Sequence, residues 1–169
     1  ARLGGMAKVG LTDIAKPYMV QLAKAVGETV VLHGIDRTEA VVLDQAVGAG
    51  HLVRVEHTPG SRHPLCLGAS GWSILAFQPE KVILKVLTAH KLGEEAIARV
   101  EHIREAGYAE SYDELQQGVH GIAAPLFNGE RSCGASIAIL VPRIREGNLS
   151  LFTHELLTVA SQISAKLAV

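Results

Sequence analysis

Residues 59–77, PGSRHPLCLGASGWSILAF, decide how the rest of the chain is read. Pro59, Gly60, Ser61 and Arg62 form a polar, turn-rich lead into a small-residue elbow, Gly68-Ala69-Ser70-Gly71. The apolar segment 72–77 that follows reads as a helix. The first turn of a helix leaves backbone N–H groups without partners and carries partial positive charge. Small side chains let a ligand approach that backbone closely, so the elbow suits a carboxylate or a phosphate. The plainer reading makes Ser70 an N-cap and the glycines turn residues.

Upstream, Leu11, Ile14, Tyr18, Leu22 and Val26 recur at helical spacing. Thr12 or Asp13 is placed to cap that helix and Gly27 to end it, while Pro17 predicts a kink or a late start. Residues 29–35 and 40–47 are rich in β-branched side chains and flank Asp36-Arg37-Thr38-Glu39, which predicts a hairpin. Residues 52–55 read as a third short strand. Downstream, Pro79 opens a helix through 82–87. Ile97, Val100 and Ile103 set one face of a helix over 94–106, with Gly107 as its stop. Residues 121–127 and 135–142 form the best strand pair, joined at Asn128-Gly129. Leu156, Ala160, Ile163 and Leu167 give a closing amphipathic helix. Hairpin-connected strands with helices grouped between them predict an α+β domain, an antiparallel sheet with the terminal helices on one face and the elbow and central helices on the other.

The 169 residues fit one domain, 1–169, with 48% hydrophobic and 20% charged side chains. Sixteen basic residues oppose seventeen acidic ones, so no general field attracts nucleic acid or an anionic membrane. Cys66 and Cys133 make no disulfide framework, which agrees with a reducing cytoplasm. The run 135–141, apolar apart from Ser136, is too short to span a bilayer, and no signal peptide is visible. The chain starts without methionine and in mid-pattern, which suggests a piece of a longer protein.

Catalytic motifs are weak. The glycine directly after Ser70 breaks the G-x-S-x-G spacing of a nucleophile elbow. Nothing local marks Cys66 or Cys133 as a reactive thiolate. His51, His57 and His63 lie close in sequence, but their spacing matches no metal motif, so no metal and no cofactor is expected. There is no Walker loop and no dinucleotide fingerprint. These readings leave a small-molecule pocket without catalytic machinery.

Three groups of residues resemble the effector-binding domain of the IclR family of bacterial transcriptional regulators. The first is Arg2-Leu3-Gly4 with Ala15, Pro17, Leu22 and Gly27-Glu28-Thr29-Val30. The second is Pro64-Leu65, Leu67-Gly68-Ala69-Ser70-Gly71 and Ile74-Leu75-Ala76. The third is Gly107-Tyr108-Ala109, Ser111, Asp113-Glu114, Gly118-Val119 and Gly121-Ile122-Ala123-Ala124-Pro125. The resemblance implies a GAF-like fold, a curved antiparallel sheet with helices on both faces. It also implies a winged helix-turn-helix N-terminal to this chain, which would carry the contact with DNA, and association into homodimers or homotetramers. Carried over by position, it puts an acid's anion on Ala69 and Ser70 and a polar contact on Ser111. Leu52, Val55 and His63 would form one wall, Val119 and Gly121 another, and Ala138 and Leu140 the floor. Apolar Ala138 and Leu140 point to a larger, flatter effector such as an aromatic acid. Trp72 stands where many members have lysine, and both its direction and that of His63 stay open.

Two other functions compete. A GAF-like methionine-sulfoxide reductase would need several reactive cysteines. A ligand-free oligomerisation module would need none, with residues 149–152 and the terminal helices as interface material.

Overall fold

The chain enters through α1 (Arg2–Val26), in a computed structural model that describes residues 2–169, with side chains from Gly10 onward. The matched Arg2-Leu3-Gly4 therefore lies outside the described side chains. Pro17 sits inside the helix, and neither Thr12 nor Asp13 begins it. Packing wins over the local capping signal: Leu11, Ala15, Met19 and Leu22 form one continuous buried stripe. Gly27, at φ +73°, ends it as expected.

Strands β1 (Thr29–Asp36) and β2 (Glu39–Ala46) pair as the expected hairpin, with Arg37 left-handed at its tip. The expected strand at 52–55 is absent, and β3 (Arg62–Pro64) takes the edge of β2 instead. β3 pairs only with residues 39–41 of β2, and residues 51–57 join no ladder. They are pinned from outside, with Thr29 Oγ1 donating to the Val55 carbonyl and the His57 N–H to Gln45 Oε1 at 2.8 Å.

The elbow is itself helical. Helix α2 (Gly68–Leu75) begins at Gly68 and is buried along its whole length, as a helix apolar on every side must be. Ser70 is therefore a first-turn residue and not an N-cap, because Leu67 occupies that position. Helices α3 (Glu80–Ala89) and α4 (Glu94–Ala106) follow as expected, and Gly107 ends α4 at φ +84°. On α4 the buried face is Ala96, Val100 and Ile103, while Ile97 is exposed. A short edge strand, β4 (Ala109–Tyr112), precedes β5 (Val119–Phe127) and β6 (Cys133–Pro142). The β5–β6 connection is a five-residue loop, not a two-residue turn: Asn128 Oδ1 accepts from the N–H groups of Glu130 and Ser132, and Arg131 takes the positive φ. A 3₁₀ segment (Arg143–Phe152) leads into α5 (Thr153–Leu167).

The six strands form one antiparallel sheet in the order β3-β2-β1-β6-β5-β4. Strand alternation sorts its two faces. Val30, Leu32, Ile122, Ile137 and Ile139 meet α1 and α5, and Val31, Ala123, Ala138 and Leu140 meet α2 and share one core with α3 and α4. The terminal helices thus cover one face and the central helices the other, as expected.

Candidate functional site

The face of the sheet under α2 holds an enclosed cavity. Gly68, Ala69 and Ser70 of α2's first turn form its roof, with His33, His57 and His63 on one side and Ser111, Leu115, Gln116, Val119 and Leu140 on the other. Its volume is about 20 Å³, room for about one water. A wider cleft of about 390 Å³ adjoins it, bounded by residues 53–56 and Gly118, and the two share Gln116 and Val119 as a dividing wall. An open groove of about 320 Å³ lies near Phe77, Phe127 and Leu157, away from these buried polar groups.

Each part of this arrangement has a local cause. Gly68 starts α2 at φ +79°, a conformation that a β-carbon would oppose. Glu114 completes the helix start from outside by accepting from the Gly68 N–H at 3.3 Å. Arg99 grips the same carboxylate at 3.2 and 2.7 Å, so its charge is already matched. Trp72 joins this assembly and faces neither pocket nor solvent. It is 3% exposed, its Nε1–H donates to Glu114 at 3.2 Å, and the Arg99 guanidinium lies 4.4 Å from its ring centre. A β-carbon at Gly121 would press on two pocket side chains, lying 2.9 Å from Leu140 Cδ2 and 3.4 Å from Ser111 Oγ.

Among the residues expected from sequence, His63, Ala69, Ser70, Ser111, Val119 and Leu140 come together around this cavity. Gly121 lies directly beneath, in register with Leu140 and Ser111. Val55 is buried beside the adjoining cleft. Ala138 is fully buried in the core under α2 and does not line the cavity. Leu52 is fully exposed and lines neither cavity nor cleft. Its strand did not form, so nothing turns it inward.

Two imidazoles were not anticipated in the pocket, His33 and His57. His33 occupies the β1 position between Val31 and Ile35, on the face that packs under α2. A polar residue in that alternation was the available signal. Its ring centre lies 5.3 Å from that of His63 and 6.2 Å from that of His57. Neither ring nitrogen of His33 has a hydrogen-bond partner, and neither does His63 Nε2. His51 is not part of the cluster. Among the described residues no group of three His, Cys, Asp or Glu is placed to hold a metal ion.

Burial first, then repulsion by His63 and His57, pushes the pKa of His33 well below 6.5. Burial also lowers His57, with His63 adding to the effect. In His63, burial outweighs the opposing bond to the Pro64 carbonyl. The three rings are therefore neutral at pH 7. Because these pKa values are depressed on folding, the unfolded chain takes up protons first as the pH falls through about 6.5. Stability from this cluster is full above that pH and lost below it. The melting temperature of the ligand-free domain should accordingly fall between pH 7 and pH 5.5, and His33→Phe should flatten the slope. An unchanged slope would mean that the cluster is solvated.

Residues 5–165 match the family model for the bacterial transcriptional regulator IclR C-terminal domain. The chain is 33% identical to the HTH-type transcriptional regulator KipR of Bacillus subtilis, covering 95% of this chain and 68% of that protein. It is 28% identical to KdgR of Dickeya chrysanthemi, covering 92% of this chain and 55% of that protein. This chain thus spans roughly half to two thirds of the length of such relatives. The Thermotoga maritima IclR crystal structure superposes with a TM-score of 0.85 at 28% identity, over 99% of this chain and 73% of that one. The C-terminal domain of Escherichia coli KdgR gives 0.79 at 25% identity, over 94% and 99%. With the ordered motifs, the sheet and the helix arrangement in agreement, the chain belongs to the IclR family of bacterial transcriptional regulators and corresponds to their C-terminal domain.

Proposed function

We propose that this chain is the sensing part of a longer regulator and binds a small organic acid in the cavity beneath α2. One observation carries the reading: partnerless buried imidazole nitrogens and the first turn of a buried helix meet in the same enclosed space. Buried polar groups without partners cost free energy, and a ligand that completes them recovers it. The Ala69 and Ser70 N–H groups, at the positive end of α2, suit a carboxylate. Leu115, Val119 and Leu140 suit a short carbon skeleton.

The aromatic acid expected from Ala138 and Leu140 gives way here to a smaller, more polar one. Ala138 is withdrawn from the cavity, and three imidazoles line it. A ligand larger than a water needs more room than this cavity holds, and the adjoining cleft behind Gln116 and Val119 would supply it, coupling binding to the 53–57 and 115–119 segments.

In this reading DNA contact falls to an N-terminal winged helix-turn-helix beyond this chain, in a cytoplasmic homodimer or homotetramer. An effector then changes operator affinity only as far as it distinguishes two arrangements of the assembly. The reductase alternative finds little support. Burial raises the thiol pKa of Cys66 and pushes Cys133 up to about 11, the opposite of an activated thiolate.

A thermal-shift screen of small carboxylic acids beside their neutral amides tests the proposal. Acids should raise the midpoint and amides should not, because binding to the native state stabilises it. Equal shifts from both would remove the anion from the account, and no shift from any acid would favour the oligomerisation module.

A further inference from the structure

The proton inventory of the histidine cluster narrows the ligand further, within the sensing function proposed above. His63 Nδ1 lies 3.0 Å from the Pro64 carbonyl, which can only accept, so Nδ1 carries the proton. In the neutral ring Nε2 is then a lone pair, and it is buried without a donor. His33, 1% exposed, presents one N–H and one lone pair, also without partners. The ring centres lie 5.3 Å apart, edge to face, so one oxygen set between them would serve both rings. That oxygen must donate one hydrogen bond and accept another. A carboxylate only accepts, so it would require a proton on His63 Nε2. A hydroxyl does both with the cluster neutral.

The surroundings favour the neutral state. Titratable groups that bear on the cluster are the three imidazoles themselves and Glu39, whose field reaches His63. The first turn of α2 contributes Gly68, Ala69 and Ser70, and β4, β5 and β6 contribute Ser111, Val119 and Leu140, none of them titratable. Leu115 and Gln116 close the remaining side. Each imidazole is held below its ordinary pKa, so charging one to receive a second carboxylate is disfavoured.

We propose that the effector is a small hydroxycarboxylic acid. Its carboxylate sits on the Ala69 and Ser70 N–H groups, and its hydroxyl donates to His63 Nε2 while accepting from the His33 N–H. The hydroxyl reads out the substrate class, and the carboxylate supplies attraction common to all acids. A site built around a substrate hydroxyl discriminates strongly against the analogue lacking it, because the site's own polar groups then go unpaired.

Calorimetric titration of the domain at pH 7 with butyrate, β-hydroxybutyrate (each enantiomer), γ-hydroxybutyrate and succinate tests this. At least one hydroxy acid should bind tenfold or more tightly than butyrate. Its enthalpy should not depend on the ionisation enthalpy of the buffer, since no proton is taken up. His33→Phe should bring that hydroxy acid and butyrate to similar affinity. Equal binding of butyrate and the hydroxy acids to the native protein would overturn the hydroxyl assignment and leave the organic-acid reading standing. Tightest binding by succinate, with buffer-dependent proton uptake, would overturn it in favour of a charged cluster and a diacid. Binding by none of the four would overturn both readings.

Discussion

Arg145→Met should destabilise the domain by about 1–3 kcal/mol, the usual cost of leaving a buried polar group without its partner. The Glu28 carboxylate is 2% exposed, and Arg145 holds it with Nε and Nη2 at 2.7 and 2.8 Å. Arg145 leaves helical geometry, at φ −118° and ψ 22°, within an otherwise 3₁₀ segment. The same guanidinium donates to the Val53 carbonyl at 2.8 Å, so its loss also frees the segment bounding the cleft beside the pocket. The double variant Glu28→Met/Arg145→Met should recover much of the loss, because no charge is then left buried. Urea unfolding reads both values. A loss below about 1 kcal/mol for the single variant would place this pair among solvated surface pairs.

Gly71→Ala should be the second large perturbation, and it acts on the site itself. A β-carbon at Gly71 would stand 2.4 Å from the Leu65 carbonyl oxygen, 2.9 Å from its carbon and 3.0 Å from Leu65 Cα. All three are backbone atoms, so α2 and the turn before it must separate. Overpacking of this kind costs about 1–3 kcal/mol. Displacing α2 also moves Ala69 and Ser70 over the cavity, so the response to acids should fall with stability. Gly10→Ala is the control: nothing lies within 4 Å of a β-carbon there, and α1 should gain about 0.5–1 kcal/mol from the better helix former. Unfolding midpoints that fail to separate the two variants would contradict the close contact beneath α2.

What could be read from the sequence follows the strength of the periodic signal. The stripe through Leu11, Leu22, Leu156 and Ile163 and the alternation of β5 and β6 name the two layers correctly, because long buried faces are fixed by pattern alone. Short elements obey tertiary context instead. Residues 52–55 look like a strand, yet hydrogen bonds from Thr29 Oγ1 to the Val55 carbonyl and from the His57 N–H to Gln45 hold this stretch in place of a ladder. β4, only four residues long, is called up by its partner β5. Thr12, Asp13 and Ser70 all look like caps, and packing carries each helix past them. For the site, the family resemblance put Ala69, Ser70, Ser111 and His63 near one another, and they do surround one cavity. His33 stayed hidden because its role depends on His63 and His57 arriving from β3 and a loop, a convergence no local window contains.

The most direct test of an anion on the α2 backbone is an amide-proton NMR titration of the domain with a binding acid and its amide. The acid should move the Ala69 and Ser70 amide protons downfield, with smaller changes at Ser111, Gln116 and Val119, and the amide should leave the α2 pair in place. Saturable shifts confined to the open groove near Phe127 and Leu157, with Ala69 and Ser70 unmoved, would contradict the account.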